Sequence, residues 1–327
     1  MVLGGTGFIG PFQVRYAVER GHHVTVYNRG KHQADLPASV EHLAGDRAVG
    51  DYASLAGKTW DVVIDNSATN PKWVKESTAA LKNSAQRYVY VSSTGVYYPY
   101  KTRPIDESSP APTADPPKGD ESADYGVAKA RSEKEAQSAF PERALIIRPH
   151  YIVGPGDTSD RFPYWPQRLA RGGEVFVPGK PDDLVQLIDV RDLTEWMIRM
   201  AEAGESGVYS AAGPRTPMRW DECLYGMHAT LASDVTWRWA TDYDFLAKQK
   251  IDEIVPWVLL TGDNYGMTYV STAKAVAKGL TYRPLAVTTA DTLAWWNSPA
   301  VSPQRREKAR FVITASKEVE LLAAMKR

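Results

Sequence analysis

Residues 2–10 read VLGGTGFIG, a short apolar strand that runs into a turn containing Gly4, Gly7 and Gly10. Residues 11–21 (PFQVRYAVERG) then have apolar side chains at helical spacing, and residues 23–28 (HVTVYN) form a second apolar strand. Glycines at these positions allow a tight turn, a close approach to a pyrophosphate and packing of helix on strand. The helix N-terminus presents free N–H groups to phosphates. The stretch therefore predicts a dinucleotide-binding βαβ unit, with a purely structural turn as the alternative.

The end of the second strand carries positive charge where such units usually place an acidic residue. Asn28 and Arg29 close the strand, and Lys31 follows two residues later. An acidic side chain there would accept a hydrogen bond from the ribose 2′-OH of NAD, whereas a guanidinium would pair with a 2′-phosphate. We therefore expect NADP as the cofactor, with NAD as the alternative. A solvated basic loop is the competing interpretation.

Further along the chain, strands and helices continue to alternate. Apolar strands are predicted at 61–69, 87–98 and 144–149, separated by helical patterns at 71–85 and 125–140. Such alternation predicts an α/β fold with a doubly wound parallel sheet and helices on both faces. Residues 99–122 contain six prolines and no periodicity, which is typical of a surface loop or of a lid over a bound substrate.

Composition excludes several classes of protein. Lys plus Arg equals Asp plus Glu at 39 each, so we expect neither nucleic acid nor an anionic membrane as a partner. The single cysteine, Cys223, excludes internal disulfides and a cysteine-based zinc site, and we predict no metal. No apolar run is long enough to span a membrane, and a cytoplasmic location is expected. Only Met1, Val2 and Leu3 precede the first glycine, so a leader or additional strand residues could be missing.

Residues 125–129 (YGVAK) place a tyrosine and a lysine on one face of a predicted helix, one turn apart. An ammonium close to a phenol favours the phenolate, which is the form that accepts a proton. Ser93, at the end of the strand before the proline-rich loop, could reach the same pocket. Two other pairs share the spacing but contain an interrupting glycine or proline: Tyr27/Lys31 and Tyr97/Lys101.

Five segments in this order resemble the extended short-chain dehydrogenase/reductase superfamily and, within it, the NAD-dependent epimerase/dehydratase family: GGTGFIG (4–10), VYVSSTGVYY (89–98), YGVAKARSE (125–133), IIRPHYIVGPGD (146–157) and QLIDVRDL (186–193). The resemblance covers about residues 1–215. It implies a Rossmann-type NADP-binding domain of residues 1–150 and 186–213. It also implies a smaller discontinuous α/β substrate lobe of 151–185 and 214–297, followed by a linker and terminal helix at 298–327.

The resemblance also assigns roles to single residues. It makes Ser93, Tyr125 and Lys129 catalytic: Tyr125 exchanges a substrate proton, Ser93 hydrogen-bonds the same oxygen, and Lys129 acts on the tyrosine and the nicotinamide ribose. The residues that it assigns to the cofactor are Gly4, Thr6, Gly7, Phe8, Ile9, Asn28, Arg29, Lys31, Asp46, Arg47, Ser67, Ala68, Tyr125, Lys129, Pro149 and His150. Those that it assigns to the substrate are Thr94, His150, Arg161, Tyr164 and Trp165.

The function implied is an oxidoreductase or epimerase that moves hydride between nicotinamide and a hydroxyl or carbonyl carbon of a sugar-like or nucleotide-sugar substrate. Thr94 and Gly95 stand where sugar dehydratases of the family have an Asp-Glu pair, so dehydration is disfavoured. One alternative is a non-catalytic nucleotide- or RNA-binding relative of the chloroplast stem-loop-binding proteins, whose second strand has a similar NRG end. Another is a cofactor-sensing regulator without turnover. The terminal helix, at 315–326, is a candidate homodimer contact.

Overall fold

A computed structural model describes residues 1–32, 34–66, 70–116 and 118–325. Its strands in chain order are β1 Val2–Leu3, β2 Thr25–Asn28, β3 Glu41–Ala44, β4 Trp60–Asp65, β5 Ala85–Val91, β6 Ala144–Pro149, β7 Ile152–Val153, β8 Gly173–Pro178, β9 Leu184–Asp189, β10 Gly207–Ala211, β11 Gly213–Arg219, β12 Val235–Ala240, β13 Glu253–Ile254 and β14 Trp257–Val258. Its α-helices are α1 Gly10–Glu19, α2 Pro71–Leu81, α3 Glu121–Ala139, α4 Tyr164–Ala170, α5 Val190–Glu202, α6 Trp220–His228, α7 Tyr243–Lys248, α8 Ala273–Ala277, α9 Leu285–Asn297, α10 Pro303–Glu307 and α11 Ala315–Ala324. Among the described helices, none combines the length and the apolar character needed to cross a bilayer.

The chain divides into two compact units, each built from three segments. The first unit comprises Met1–His150, Val190–Ala212 and Val270–Thr281. The second comprises Tyr151–Asp189, Gly213–Tyr269 and Tyr282–Arg327. This division differs from the predicted lobes chiefly in two places. Residues 270–281 belong to the first unit, whereas the prediction has them in the substrate lobe. Residues 298–327 belong to the second unit, whereas the prediction has them as a separate linker and helix.

Specific contacts explain why residues 270–281 belong to the first unit. Val270 forms a parallel bridge with Ile105, and the Trp196 indole N–H of α5 donates to the Lys278 carbonyl at 3.0 Å. Lys278 also pairs with Glu205 at 2.6 Å. In this segment the chain therefore returns to the first unit, where it covers α5 and the end of the sheet.

The first unit is a seven-stranded sheet in the order β10-β6-β5-β4-β1-β2-β3, and every pairing within it is parallel. This order and direction confirm the predicted Rossmann-type, doubly wound fold. The chain moves outward from β1 in one direction to β3 and in the other direction through β4, so the connections after β1 and β4 diverge. That divergence opens the crevice at the carboxyl ends of the strands in which such folds bind ligands.

Helices of the first unit pack in two pairs, α1 beside α5 and α2 beside α3. The helices α1 and α2 follow strands that lead in opposite directions across the sheet, and right-handed crossovers then place them on opposite faces. A buried cluster that includes Leu3, Tyr27, Val63 and Tyr88 fills one side of the sheet. The sheet is thus covered on both faces, as its nearly continuous apolar strands require.

The second unit contains a three-stranded sheet ordered β11-β9-β7, a parallel β8/β12 pair and a short β13/β14 hairpin. Its core contains the fully buried rings of Trp165, Trp220 and Trp257. Leu321 of α11 joins the same core, so the terminal helix is an integral part of this unit. Large rings suit the core of a small lobe because each aromatic side chain buries about 150–250 Å² of surface.

Candidate active site

The glycines of the first turn differ in what the fold demands of them. Gly4 has a φ of +78° and donates its amide to the Tyr27 carbonyl at 3.1 Å. A Cβ on Gly10 would lie 2.4 Å from the Gly5 carbonyl carbon, whereas a Cβ on Gly7 would meet nothing closer than 3.8 Å. Gly10 is therefore needed for helix packing, and Gly7 leaves open space before the N-terminus of α1. This cradle fits a pyrophosphate, as the glycine spacing predicted.

Thr6, Phe8 and Ile9 line the same turn and are half-buried. Ile9 occupies the N-cap position of α1 and supplies no side-chain cap. In the first helical turn the Gly10 amide donates to the Gly7 carbonyl at 3.2 Å and Pro11 has no N–H, so the Phe12 amide is left to water or to a ligand. An anion at this position would accept from it.

The end of β2 is held by its asparagine. The Asn28 side chain accepts a hydrogen bond from the Gly30 amide at 2.7 Å and lies 3.5 Å from the Thr6 hydroxyl. Arg29 and Lys31 are exposed, and within the described ranges neither makes an ion pair or a side-chain hydrogen bond. The charges of both side chains are therefore available to a ligand.

Asp46 and Arg47, which follow β3, have partners within the protein. Asp46 caps a short 3₁₀ turn (Arg47–Val49) by accepting from the Ala48 amide at 2.9 Å. The Arg47 guanidinium is buried and donates to the Asp65 carboxylate, from Nη1 to Oδ1 at 2.7 Å and from Nη2 to Oδ2 at 2.8 Å. Burial opposes the charge of Arg47, but Asp65 together with Tyr88 and Tyr52 outweighs this and raises the pKa of Arg47. Arg47 is thus committed to an internal ion pair.

Asp65 was not singled out by the sequence, although it ends β4 beside the phosphate turn. It also accepts a hydrogen bond from the Tyr88 hydroxyl at 2.6 Å. Its only signal in the sequence is a carboxylate inside an apolar strand, which calls for a buried cationic partner. The predicted cofactor residues Ser67 and Ala68, which follow shortly after, lie outside the described residues.

Ser93 and Tyr125 come together around a glycine. Ser93 follows β5 and caps a 3₁₀ turn (Thr94–Tyr97), its hydroxyl accepting from the Gly95 amide at 3.0 Å. A Cβ on Gly95 would lie 2.8 Å from Tyr125 Cε1 and 3.3 Å from the Ser93 hydroxyl oxygen. The phenol ring and the serine hydroxyl therefore flank the same small space. Tyr125 is the fifth residue of α3 and is 40% exposed, so the side chain can be reached by a ligand.

A second glycine brings α3 against this turn. A Cβ on Gly126 would lie 2.4 Å from the Gly95 carbonyl oxygen, so backbone touches backbone at this crossing. Sequence reasoning used the tyrosine and lysine of YGVAK but missed the glycine between them. Its signal was a glycine inside a helical pattern, which is costly unless packing requires it.

Lys129 lies one turn beyond Tyr125 and is buried. Its ammonium donates to the Val91 carbonyl at 2.9 Å and lies 5.1 Å from the centre of the Tyr90 ring. Burial lowers the pKa of Lys129 to about 8, while the Asp65 and Glu133 carboxylates oppose that shift. A lysine held in this way remains charged at neutral pH and retains two N–H groups beyond the Val91 bond.

Thr94, Pro149 and His150 gather at the ends of β5 and β6. The Thr94 hydroxyl lies 3.4 Å from the Pro149 carbonyl oxygen, and the His150 amide donates to the Ala211 carbonyl at 3.0 Å. The side chains of Thr94 and His150 are buried. Access of a substrate to Thr94 or His150 remains a prediction.

The remaining predicted substrate residues lie in the second unit. Tyr164 and Trp165 begin α4 with their rings in an edge-to-face contact of 5.0 Å, and both are buried in the apolar core. Arg161 is exposed, pairs with Glu253 at 3.3 Å and lies over the Tyr151 ring. Tyr164 and Trp165 are thus buried and Arg161 is exposed, and a substrate contact of these three residues remains a prediction.

Comparison with known proteins places this geometry in context. Residues 1–212 match the family described as NAD dependent epimerase/dehydratase. The chain is 32% identical over 211 residues to the chloroplast stem-loop binding protein of 41 kDa b from Arabidopsis thaliana, covering 59% of this chain and 52% of the relative. It is 28% identical over 174 residues to the 2-alkyl-3-oxoalkanoate reductase of Stenotrophomonas maltophilia, covering 48% of this chain and 52% of the relative. The chain thus spans about half the length of these two curated relatives.

Among solved structures, the UDP-glucuronic acid 4-epimerase from Bacillus cereus in complex with NAD has a similar fold, with a TM-score of 0.63. The two chains are 15% identical, and the match covers 90% of this chain and 97% of the other. At this identity the similarity establishes a shared fold.

Proposed function

The chain belongs to the NAD dependent epimerase/dehydratase family, and from this premise we propose that it is an NAD(P)-dependent epimerase or reductase. Its substrate is a hydroxyl or carbonyl compound of the sugar or nucleotide-sugar class. The observation that carries the proposal is the approach of Tyr125 and Ser93 to the same space at Gly95, with the Lys129 ammonium one helical turn away. Three groups with those chemistries are suited to moving a proton on a substrate oxygen.

The residues divide the work as follows. The Tyr125 hydroxyl is the exposed member and exchanges a proton with the substrate oxygen. The Ser93 hydroxyl donates to that oxygen and holds it in place. Lys129 keeps a positive charge beside the phenol and directs its remaining N–H groups at the nicotinamide ribose. The bound nicotinamide supplies or accepts the hydride.

Cofactor binding is assigned to the turn and to the end of β2. Gly4, Thr6 and Gly7, with the N-terminus of α1, hold the pyrophosphate, and Phe8 and Ile9 line the same turn. The Bacillus cereus neighbour holds NAD, which supports a nicotinamide dinucleotide. The two available cations, Arg29 and Lys31, support NADP as the preferred form because a 2′-phosphate would satisfy them.

The contacts of Thr94 and Gly95 support epimerisation or reduction rather than dehydration. Elimination of water needs an acid and a base next to the catalytic serine. Instead, the Thr94 hydroxyl lies against the Pro149 carbonyl and Gly95 lies against the Tyr125 ring. Neither position offers a titratable group.

A second candidate function is nucleotide or RNA binding without turnover. It is favoured by the 32% identity to a chloroplast stem-loop binding protein. The zero net charge of the chain weakens it, since RNA binding depends on neutralising phosphates.

A direct assay separates the two candidates. The purified chain is incubated with NAD⁺ or NADP⁺ and UDP-glucose, UDP-galactose, UDP-glucuronic acid or UDP-N-acetylglucosamine, and with NADPH and a panel of carbonyl compounds. Nicotinamide absorbance reports net redox, and NMR of the sugar reports epimerisation. We expect turnover in at least one arm and its loss in Tyr125→Phe. Tight binding of an RNA hairpin with no turnover in any arm would favour the second candidate.

A further inference from the structure

A buried ion pair lies directly behind the candidate catalytic residues. Arg148 of β6 and Glu133 of α3 meet through two parallel contacts, Nε to Oε1 at 2.9 Å and Nη2 to Oε2 at 2.7 Å. Both residues are at most 5% exposed. Two parallel contacts between planar groups fix the angle as well as the distance between the strand and the helix.

Hydrogen bonds extend this pair to three further elements of the first unit. The Ser92 hydroxyl, just past β5, donates to Glu133. Arg148 Nη1 donates to the Tyr97 hydroxyl at 2.9 Å, and Tyr97 shares a hydrogen bond of 2.8 Å with Ser210 of β10. The network therefore joins the ends of β5, β6 and β10, the 3₁₀ turn and helix α3.

Each candidate catalytic residue has a neighbour in this network. Ser92 immediately precedes Ser93, and Tyr97 ends the turn that Ser93 caps. Glu133 is one helical turn beyond Lys129 and two turns beyond Tyr125 on α3. Because residues four apart share a helix face, the contact that fixes Glu133 also fixes the face that carries Tyr125 and Lys129.

We propose that Glu133 and Arg148 are positioning residues that set the spacing of Ser93, Tyr125 and Lys129. The proposal rests on the function proposed above, because spacing matters only if these three groups act together. Buried ion pairs are poor sources of stability compared with apolar residues of the same volume. Geometry is what the charged pair adds, since two apolar side chains in this place would impose no fixed angle between β6 and α3.

Glu133 of this pair also acts on the charge of Lys129. Glu133 faces this lysine along α3, Asp65 faces it from β4, and both favour the ammonium, whereas burial and Arg47 oppose it. Removing the Glu133 charge should therefore lower the pKa of Lys129 further. The loss of the ammonium would then occur at a lower pH than in the natural chain.

The test uses a double variant that keeps volume while removing both charges, Glu133→Gln with Arg148→Met. The single Glu133→Gln variant leaves a buried guanidinium without its carboxylate and risks unfolding, so the double variant is the main comparison. Glu135→Gln, on the same helix and outside the network, is the matched control. We expect the double variant to keep its melting temperature within a few degrees and its NADP(H) affinity within about threefold. Its turnover should fall by roughly 10- to 100-fold, because a small misplacement of reacting groups has this effect.

A second measurement does not depend on activity. Competitive acetylation with acetic anhydride, followed by mass spectrometry across a pH series, reports the accessibility and the pKa of Lys129. We expect labelling of Lys129 to rise about tenfold in the double variant, with its midpoint shifted to lower pH, and to stay unchanged in Glu135→Gln. Unchanged labelling in the double variant would overturn the proposal, whether or not the natural chain turns over a substrate. If the natural chain shows no turnover, the proposed function fails and the labelling result still decides on the positioning role.

Discussion

Arg29 and Lys31 are exposed cations, and their contribution to binding depends on which ligand lies beside them. We expect NADP(H) to bind more tightly than NAD(H), and Arg29→Ala to reduce the difference by roughly ten- to a hundredfold, the equivalent of about 1.5–3 kcal/mol for a charge-assisted contact. Affinity for NAD(H) should hardly change, since it has no 2′-phosphate. Titration of both cofactors by nicotinamide fluorescence measures the two affinities.

Lys82, an exposed lysine at the C-cap of α2, provides the control for a lost positive charge. Lys82→Ala should leave both affinities as they are, whereas Lys31→Ala should weaken NADP(H) binding by a smaller factor than Arg29→Ala. Equal or tighter binding of NAD(H) to the natural chain would show that these cations serve another purpose.

Tyr125 is 40% exposed, and its ring lies against Gly95. We expect Tyr125→Phe to keep its fold and cofactor affinity but to lose turnover by about 10²- to 10⁴-fold, the usual contribution of a positioned acid or base. Steady-state rates with a substrate identified in the assay above measure the loss. Retention of near-full activity would remove Tyr125 from the catalytic set.

The choice of control tyrosine follows from the structure. Tyr97 shares the four-residue spacing to a lysine, but its hydroxyl accepts from Arg148, so Tyr97→Phe would disturb a buried network. Tyr225 of α6 is 49% exposed and belongs to the second unit, and its substitution by Phe should be silent.

At the scale of elements, the proline-rich loop that ends at α3 is bound to β10, to Val270 and to α3 itself. Ser210 of β10 donates its amide to Glu107 at 2.6 Å, and Ile105 is bridged to Val270. From α3, Arg131 donates to the Thr113 carbonyl at 2.9 Å and pairs with Asp115. The expected closing motion would therefore have to break contacts at both ends of the loop.

Arg131→Ala tests how much these contacts restrain the loop. Loss of its bonds should raise the rate of limited proteolysis near Thr113 about two- to tenfold, because a net hydrogen bond contributes about 0.5–1.5 kcal/mol. Gln137→Ala, an exposed change on the same helix, should leave the rate unchanged. Equal rates of cleavage in the natural chain, Arg131→Ala and Gln137→Ala would show that these bonds do not restrain the loop.

Local patterns were sufficient to predict the elements that surround the site. The βαβ unit and the Tyr125/Lys129 pair follow from spacings within ten or so residues, and each is a property of one or two neighbouring elements. The role of Arg47 could not be predicted in this way. Its partner, Asp65, lies on a different element, and the two residues meet only because the strands pair in the sheet. Tyr164 and Trp165 depend likewise on the packing of the second unit, since an aromatic side chain suits a ligand surface and a core equally well.

At the scale of the whole chain, the C-terminal helix α11 completes the second unit through one carboxylate. Glu318 pairs with Arg168 of α4 at 2.6 Å and accepts from the Phe176 amide of β8 at 3.0 Å. Both members of the pair are nearly inaccessible to water. Glu318→Gln would leave a buried guanidinium without its carboxylate, and we expect a loss of about 3–5 kcal/mol in the free energy of unfolding.

Urea denaturation followed by tryptophan fluorescence measures this loss, since Trp165 and Trp220 lie in the same core. Glu320→Gln, two residues away on the exposed side of α11, should change stability by less than about 0.5 kcal/mol. Equal stability of the two variants would mean that α11 contributes to the core through its apolar residues alone.

The alternation of the chain between its two units has a consequence for how the protein is made. The chain passes from one unit to the other after His150, Asp189, Ala212, Tyr269 and Thr281. On the ribosome, all seven strands of the main sheet have been synthesised by Ala211, yet the segment that receives the Trp196 indole and bridges Ile105 is translated only after residue 269. The second unit, in turn, lacks Glu318 until α11 is translated. Each unit therefore completes its contacts only after much of the other has been synthesised.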